Sequence, residues 1–220
     1  MPAQKDLAAR PSRTPEQKAA LAACQSLDGG AGKVALWGTG LKGTPRSAAI
    51  FNGIMSHVLE LDDFLGIDHT GAVVLPALFA IAEHENDFDE VRFLEAMILG
   101  YEIGRRMLDA GGGYSKHNST GWHTTGTLGA YAAAVATSKY LGLAQAQMVS
   151  AIGLSGSVAG GTWAFSRDGS MSKRFNPGNA AQNGITAAYL AREGFTGPRY
   201  VMEAEWAGTS PNMPPTIPMI

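Results

Sequence analysis

Cysteine is nearly absent: Cys24 stands alone in 220 residues. An internal disulfide framework is therefore excluded, and a reducing, cytoplasmic setting is the expectation. No apolar run approaches the ~18 residues of a membrane-spanning helix, so no membrane association is expected. No run of Lys or Arg exists to follow a phosphate backbone, and the net charge is only −2. Nucleic acid is accordingly not an expected partner. The first residues, MPAQKDLAARPSRTPEQK, lack the apolar centre of a secretory signal. Sets of alternating strands and regular internal repeats are also missing. Charged residues make up 16% against 45% hydrophobic, which is too little charge for disorder and enough apolar material for one domain, or at most two small ones.

Glycine and alanine are plentiful instead. The 28 glycines fall at segment boundaries and inside Ala-rich segments, a pattern that suits helices packed closely through small residues. Residues 1–13 read as a lead without structure. Thr14 is placed to cap a short helix from Pro15 to Cys24. Further helices are expected at Ser47–Leu61, Val73–His84, Glu90–Leu108, Thr124–Tyr140, Gln145–Val158 and Gly178–Arg192, from apolar residues at three- and four-residue spacing. One more could begin near Pro198. The segments FLGIDHTG, DAGGGYSKHNSTGWH and Gly160–Pro177 are expected to be loops. The fold class is all-α, with six or seven helices.

Gly38, Gly40 and Gly43 spell G-x-G-x-x-G after the strand-like run Val34–Trp37, with Asp62 and Asp63 about 20 residues on, as in a dinucleotide fingerprint. Pro45 interrupts the place where the fingerprint's helix should already be running. The acids also follow a helical pattern rather than a strand. A small hairpin or an irregular loop is the better reading.

Asn52–Pro76 concentrates titratable groups in an apolar setting: His57, Glu60, Asp62, Asp63, Asp68 and His69. On a helix, His57 and Glu60 would share a face. Asp62 and Asp63 would end that helix, where acids are unfavourable and ask for a cationic partner such as Lys173 or Arg174. His69, flanked by Asp68, could be held in one tautomer by a carboxylate. His123 precedes a helix N-terminus, where its neutral form is favoured. Lys173, with Arg167 and Arg174 nearby, is placed to meet an anion ahead of a helix starting at Gly178. The histidines and acids lack the spacing of familiar metal motifs, so no metal is expected. Two histidines, several acids and a basic segment suit proton abstraction next to a carboxylate.

The segments NGIMSHVLELDD, HTGAVVLPALFAIAE, ILGYEIGRR, GWHTTGTLGAYAAAVATSKYLGL, SKRFNPGNAAQNGITAAYLAREGFTGP and VMEAEW, in this order, resemble the MmgE/PrpD family over about Ala31 to Trp206. The family includes 2-methylcitrate dehydratase, cis-aconitate decarboxylase and iminodisuccinate epimerase. The resemblance implies a large helical domain with a smaller α/β lid domain, a homodimer, and a site for small di- and tricarboxylic acids without metal or other cofactor. The family's acidic cluster matches Glu60, Asp62 and Asp63. Its loop histidine matches His69, the histidine of its G-aromatic-H motif matches His123, and the lysine ahead of G-N-A-A matches Lys173. The loop FLGIDHTG is shorter than in some members and lacks their H-P pair, so substrate identity does not carry over.

The expected organisation is a lead and short helix over 1–28, a partial helical domain over 29–206, and an unstructured proline-rich tail over 207–220, with the lid domain absent. The expected function is a lyase-type domain, 2-methylcitrate dehydratase-like, acting on a small di- or tricarboxylate. His123 or His69 is the expected base, with Asp63, Glu60 or Asp62 orienting a histidine or handling the second proton. Lys173 and Arg174 are expected to bind a substrate carboxylate. A decarboxylase, an epimerase and a non-catalytic scaffold are the alternatives. Without a lid to exclude water, weak activity or none is expected.

Overall fold

The computed structural model describes residues 14–64 and 66–204. The lead at 1–13, Trp206 and the tail at 207–220 lie outside the described residues. Helix α1 (Pro15–Asp28) is capped by the Thr14 hydroxyl, which accepts from the Gln17 amide at 3.2 Å. It runs one turn past the expected end at Cys24 and stops at Gly29, whose φ of 59° is left-handed. Strands β1 (Val34–Leu36) and β2 (Leu41–Gly43) pair antiparallel, Val34 opposite Gly43. The glycine motif is thus a hairpin, with Gly38 and Gly40 at positive φ in its turn. Asn52 docks it: its carbonyl accepts from the Trp37 amide at 2.9 Å and its amide donates to the Ala35 carbonyl at 3.0 Å.

Helices α2 (Pro45–His57), α3 (Gly71–Glu85) and α4 (Glu90–Ala110) follow. Next come the short α5 (Gly113–Ser119), α6 (Thr124–Tyr140), α7 (Gln145–Val158), the single turn α8 (Phe165–Asp168) and α9 (Ser172–Arg192). The described residues are all-α apart from the hairpin. Among the described residues, no helix is long and apolar enough to cross a membrane.

Several expectations change. Helix α2 ends at His57 rather than Leu61. Glu60 adopts a φ of 52°, outside the helical range, so His57 and Glu60 do not share a helix face, and Asp62 and Asp63 lie in a loop. Helix α3 begins at Gly71, two residues before the expected Val73, and takes Pro76 inside it. The expected loop after α4 contains α5. Helix α9 begins at Ser172 and runs through Pro177, instead of starting at Gly178. A proline's fixed φ is helical, and only one main-chain bond is lost there. That loss is offset by tertiary bonds from the same first turns, described below. The stretch from Pro198 makes turns rather than a helix.

Helix α6 is the centre: every residue from Thr124 to Tyr140 except Lys139 is buried, and α3, α4, α7 and α9 all pack on it. Small residues set these distances. A Cβ placed on Gly100 of α4 would lie 2.9 Å from Ala136 Cβ, and one on Gly184 of α9 would lie 2.4 Å from Ala133 Cβ. Helices α2 and α9 meet backbone to backbone. A Cβ on Gly53 would fall 2.5 Å from Gly178 Cα, and one on Gly178 would fall 2.2 Å from the Ile50 carbonyl oxygen.

That contact has a measurable consequence. Gly178→Ala must push α9 off α2, because a main-chain oxygen cannot rotate away. We expect overpacking to cost about 1–3 kcal/mol, with Tm falling roughly 2–4 °C per kcal/mol for a chain of this size. An unchanged Tm in calorimetry would show that the helices are not held this close.

Candidate active site

The loop from α2 to α3 is pulled tight by its own polar groups. Two of the three non-glycine residues with positive φ among the described residues are here, Glu60 at 52° and Asp68 at 89°. Such conformations cost energy, and their neighbours must hold them in place. Asp63 does much of this. Its carboxylate accepts from the Gly71 amide at 2.9 and 3.1 Å, and so caps α3, whose Thr70 offers no side-chain cap. The Tyr101 hydroxyl also bonds it and is pushed up to about 12, by burial first and then by the Asp63 charge. Burial raises the Asp63 carboxyl itself. Asp63 therefore orients His69 only through its main-chain oxygen, 3.0 Å from Nδ1.

Asp62 is the hinge of the cluster. Its Oδ1 lies 3.0 Å from His57 Nδ1 and its Oδ2 lies 3.0 Å from His69 Nδ1. The two rings lie together with centroids 4.0 Å apart. His57 is fully buried, and burial holds it below the usual histidine range against the pull of Asp62. Asp68 sits 3.4 Å from His69 Nε2, its carboxyl raised by burial. Atoms of His57, Asp62 and His69 lie within 4.8 Å of one another, a spacing that could admit a cation. The 3.0 Å contacts are ordinary for hydrogen bonds, which account for the arrangement.

Glu60 faces the other way, toward the first turn of α9. Lys173 Nζ is 2.5 Å from Oε2 and Arg174 Nη2 is 3.3 Å from Oε1. Burial raises the Glu60 carboxyl, but Lys173, with help from His57 and Arg174, outweighs it and carries the group below the usual carboxylate range. Lys173 is thus on a helix and paired, not free in a loop ahead of one. Arg167 belongs to the separate turn α8.

His123 stands at the N-cap of α6, fully buried. Its Nδ1 meets the Asn176 amide nitrogen at 2.8 Å. The rings of Trp163 and Phe165 press edge-on, with centroids at 5.1 and 5.3 Å. Burial first, then the charges of His69, Lys173 and His57, lower its pKa to about 3. The Thr125 hydroxyl, two residues on, donates to the Ile67 carbonyl at 3.2 Å and ties the start of α6 to the acid loop. The structure so gathers Glu60, Asp62, His69, Lys173, Arg174 and His123 into one region, with Asp63 serving as a helix cap. Sequence reasoning gave no catalytic place to His57 or Asn176. A histidine five residues before an acid, at the end of an apolar helix, was the available signal for the first. None pointed to the second.

Two buried histidines held neutral make stability depend on pH. His57 and His123 titrate lower in the folded chain than their ordinary 6.5. The unfolded chain therefore binds protons first, and stability present above pH 6.5 is lost as pH falls below it. Each group removes up to about 1.4 kcal/mol per pH unit. Urea midpoints should fall steadily from pH 7 to pH 5, and less steeply in His123→Gln; a flat profile would contradict this account.

Residues 7–213 match the MmgE/PrpD N-terminal domain. The chain is 38% identical over 172 residues to the cis-aconitate decarboxylase-like protein oryM of Aspergillus oryzae, covering 74% of this chain and 35% of that protein. It is 35% identical over 177 residues to cis-aconitate decarboxylase of Aspergillus terreus, covering 78% and 36%. It is 31% identical over 186 residues to the human cis-aconitate decarboxylase, covering 79% and 37%. The chain thus spans little more than a third of the length of these relatives. By the extent of this match and the helical fold that carries it, the chain belongs to the MmgE/PrpD family.

Proposed function

We propose that this domain carries the proton-transfer half of a lyase-type site for small tricarboxylic acids. The observation that carries this reading is the Asp62 clamp on His57 and His69, set beside the Lys173–Arg174 pair. A C–H bond next to a carboxylate loses its proton with difficulty, because negative charge develops on an already anionic group. The site offers the two things needed: cations to offset that charge, and imidazoles held in fixed orientation to take or return the proton. Glu60 keeps Lys173 and Arg174 in place until a substrate carboxylate competes for them. The names of the relatives favour decarboxylation of cis-aconitate. Decarboxylation breaks a C–C bond, releases CO2 and needs a proton returned to carbon, whereas dehydration of a 2-methylcitrate-like acid and epimerisation begin by taking one; each develops negative charge that the same groups would meet.

The rim of this region is apolar and open. Leu61 is 85% exposed and Phe64 73% exposed in the acid loop, and Met171 and Phe175 are exposed at the start of α9. Such side chains suit a covering element that would exclude water. A homodimer is the proposed assembly. On α4, Val91, Leu94 and Ile98 form an exposed apolar stripe at three- and four-residue spacing.

The rival reading is a family domain with only a scaffolding role. A thermal-shift titration separates the two. Citrate should raise Tm in wild-type protein, and Lys173→Met should abolish most of the shift. No shift with any tricarboxylate, together with strong binding of an apolar dye, would favour the scaffold. In any preparation with measurable turnover, His69→Ala and His123→Ala should each lose about 10²-fold or more in kcat. Full turnover in His123→Ala would remove that residue from the site.

A further inference from the structure

The three histidines of this region do not present the same atom. At His57, Nδ1 faces a carboxylate oxygen of Asp62. At His69, Nδ1 faces both Asp62 Oδ2 and the Asp63 main-chain oxygen, each at 3.0 Å. Carboxylate and carbonyl oxygens only accept, so both Nδ1 atoms carry the hydrogen; in the neutral His57 ring Nε2 is then bare, whereas His69 Nε2 lies 3.4 Å from the Asp68 carboxylate. At His123 the facing atom is the Asn176 amide nitrogen, 2.8 Å from Nδ1. With the amide nitrogen turned to the ring, its NH2 donates, Nδ1 accepts, and the hydrogen of the neutral ring belongs on Nε2. That Nε2 is buried and has no hydrogen-bond partner. A buried N–H without a partner is costly unless a ligand supplies one.

The Asn176 side chain is not free to adapt. It is buried, and two glycines leave room for it against α6. A Cβ on Gly161 would lie 3.2 Å from Asn176 Oδ1, and one on Gly126 would lie 3.3 Å from Asn176 Cβ. The helical continuation of α9 through Pro177 brings Asn176 to this place.

We propose that Asn176 is a positioning residue that fixes His123 as the Nε2–H tautomer, so that His123 meets the substrate as a neutral hydrogen-bond donor to a carboxylate oxygen and neither takes nor gives up a proton. The proposal rests on the functional reading above and narrows it. A neutral ring with a bare Nδ1 would become an imidazolate if it released its Nε2 hydrogen, which is out of reach near neutral pH. As a donor it stabilises charge on oxygen without reorganising. Proton transfer then falls to the Asp62-held side, where His69 Nε2 lies 3.4 Å from Asp68 Oδ2.

Long-range 1H–15N correlation spectra of the imidazole rings test this directly, with the His123 signals identified by their loss in His123→Gln. At pH 7 the wild-type ring should show a protonated Nε2 and a bare Nδ1. In Asn176→Asp a carboxylate faces Nδ1 and should draw the hydrogen onto it. In Asn176→Ala the donor is gone, and the ring should move to a mixture of tautomers. Either variant suffices if the other fails to fold. A wild-type ring protonated at Nδ1, or an Nε2–H ring unmoved by both changes, overturns the proposal. Citrate added to the same samples reads the second half. The wild-type Nε2–H signal should shift on binding, and Asn176→Asp should weaken citrate by about tenfold or more, the scale of a lost hydrogen bond to a charged group. A switched tautomer with unchanged citrate affinity overturns the donor role. A switched tautomer with no citrate binding even in wild type supports the positioning by Asn176 and refutes the substrate class instead.

Discussion

Helices α2 and α9 touch through bare backbone, Gly53 against Gly178 and Gly178 against the Ile50 carbonyl. Most of the candidate site depends on that approach. Helix α2 delivers His57 at its last residue, and α9 delivers Lys173, Arg174 and Asn176 in its first two turns. If side chains separated the axes by their usual distance, Lys173 could not reach Glu60 and the first turns of α9 would lose their anchor. Helix α6 uses the same device on two sides, with Gly100 of α4 and Gly184 of α9 seated on its alanines. A core of small residues gives up apolar area per residue. In return it brings main chains close and fixes them, which suits a site whose parts come from separate helices and the loops between them.

Asp62 then turns a crowded loop into an ordered one. One carboxylate accepts from two imidazoles, each at 3.0 Å, so its charge is spread over two donors and both rings lose their freedom to flip. Asp63, its neighbour in sequence, does different work, holding the start of α3 through the Gly71 amide. Two adjacent acids thus divide between orienting side chains and fixing backbone. Exchanging their roles would leave either the helix uncapped or the histidines unheld. This division also explains the left-handed Glu60 and Asp68. The loop must reverse sharply on both sides of the acid pair to aim the two carboxylates in different directions.

Much of this was legible in the sequence, and the failures have physical causes. The helices at Thr124–Tyr140 and Gln145–Val158 were readable, because glycines stand just past their ends, Gly142 at a left-handed φ of 68° and Gly160. The start of α9 was not. Proline at position 177 reads as a helix breaker in one dimension, yet its φ is helical, and the tertiary bonds of Lys173 and Asn176 repay the missing amide. The run Gly111–Gly113 likewise hid α5. His57 looked like one more residue of an apolar helix, since nothing local shows that α2 stops there and lets Asp62 fold back. Asn176 carried no signal, because its meaning lies in which atom of which ring it faces, and that is a property of α6 meeting α9.

The opposite tautomers follow from the same packing. Acidic residues cluster in the α2–α3 loop, so the rings there are held at Nδ1 by acceptors. Helix α6 begins where acids are scarce and a wall of Trp163 and Phe165 excludes water. A carboxylate partner there would draw the hydrogen to Nδ1 and strip it from Nε2, so the ring could no longer donate. An amide holds the ring and leaves the hydrogen on Nε2. Asparagine rather than aspartate at position 176 therefore suits the ring it holds. A site that must receive an anion with several carboxylates benefits twice. It keeps its positive charge on Lys173 and Arg174, where Glu60 balances it, and it keeps a neutral N–H on His123 that needs no counter-ion when the substrate is absent.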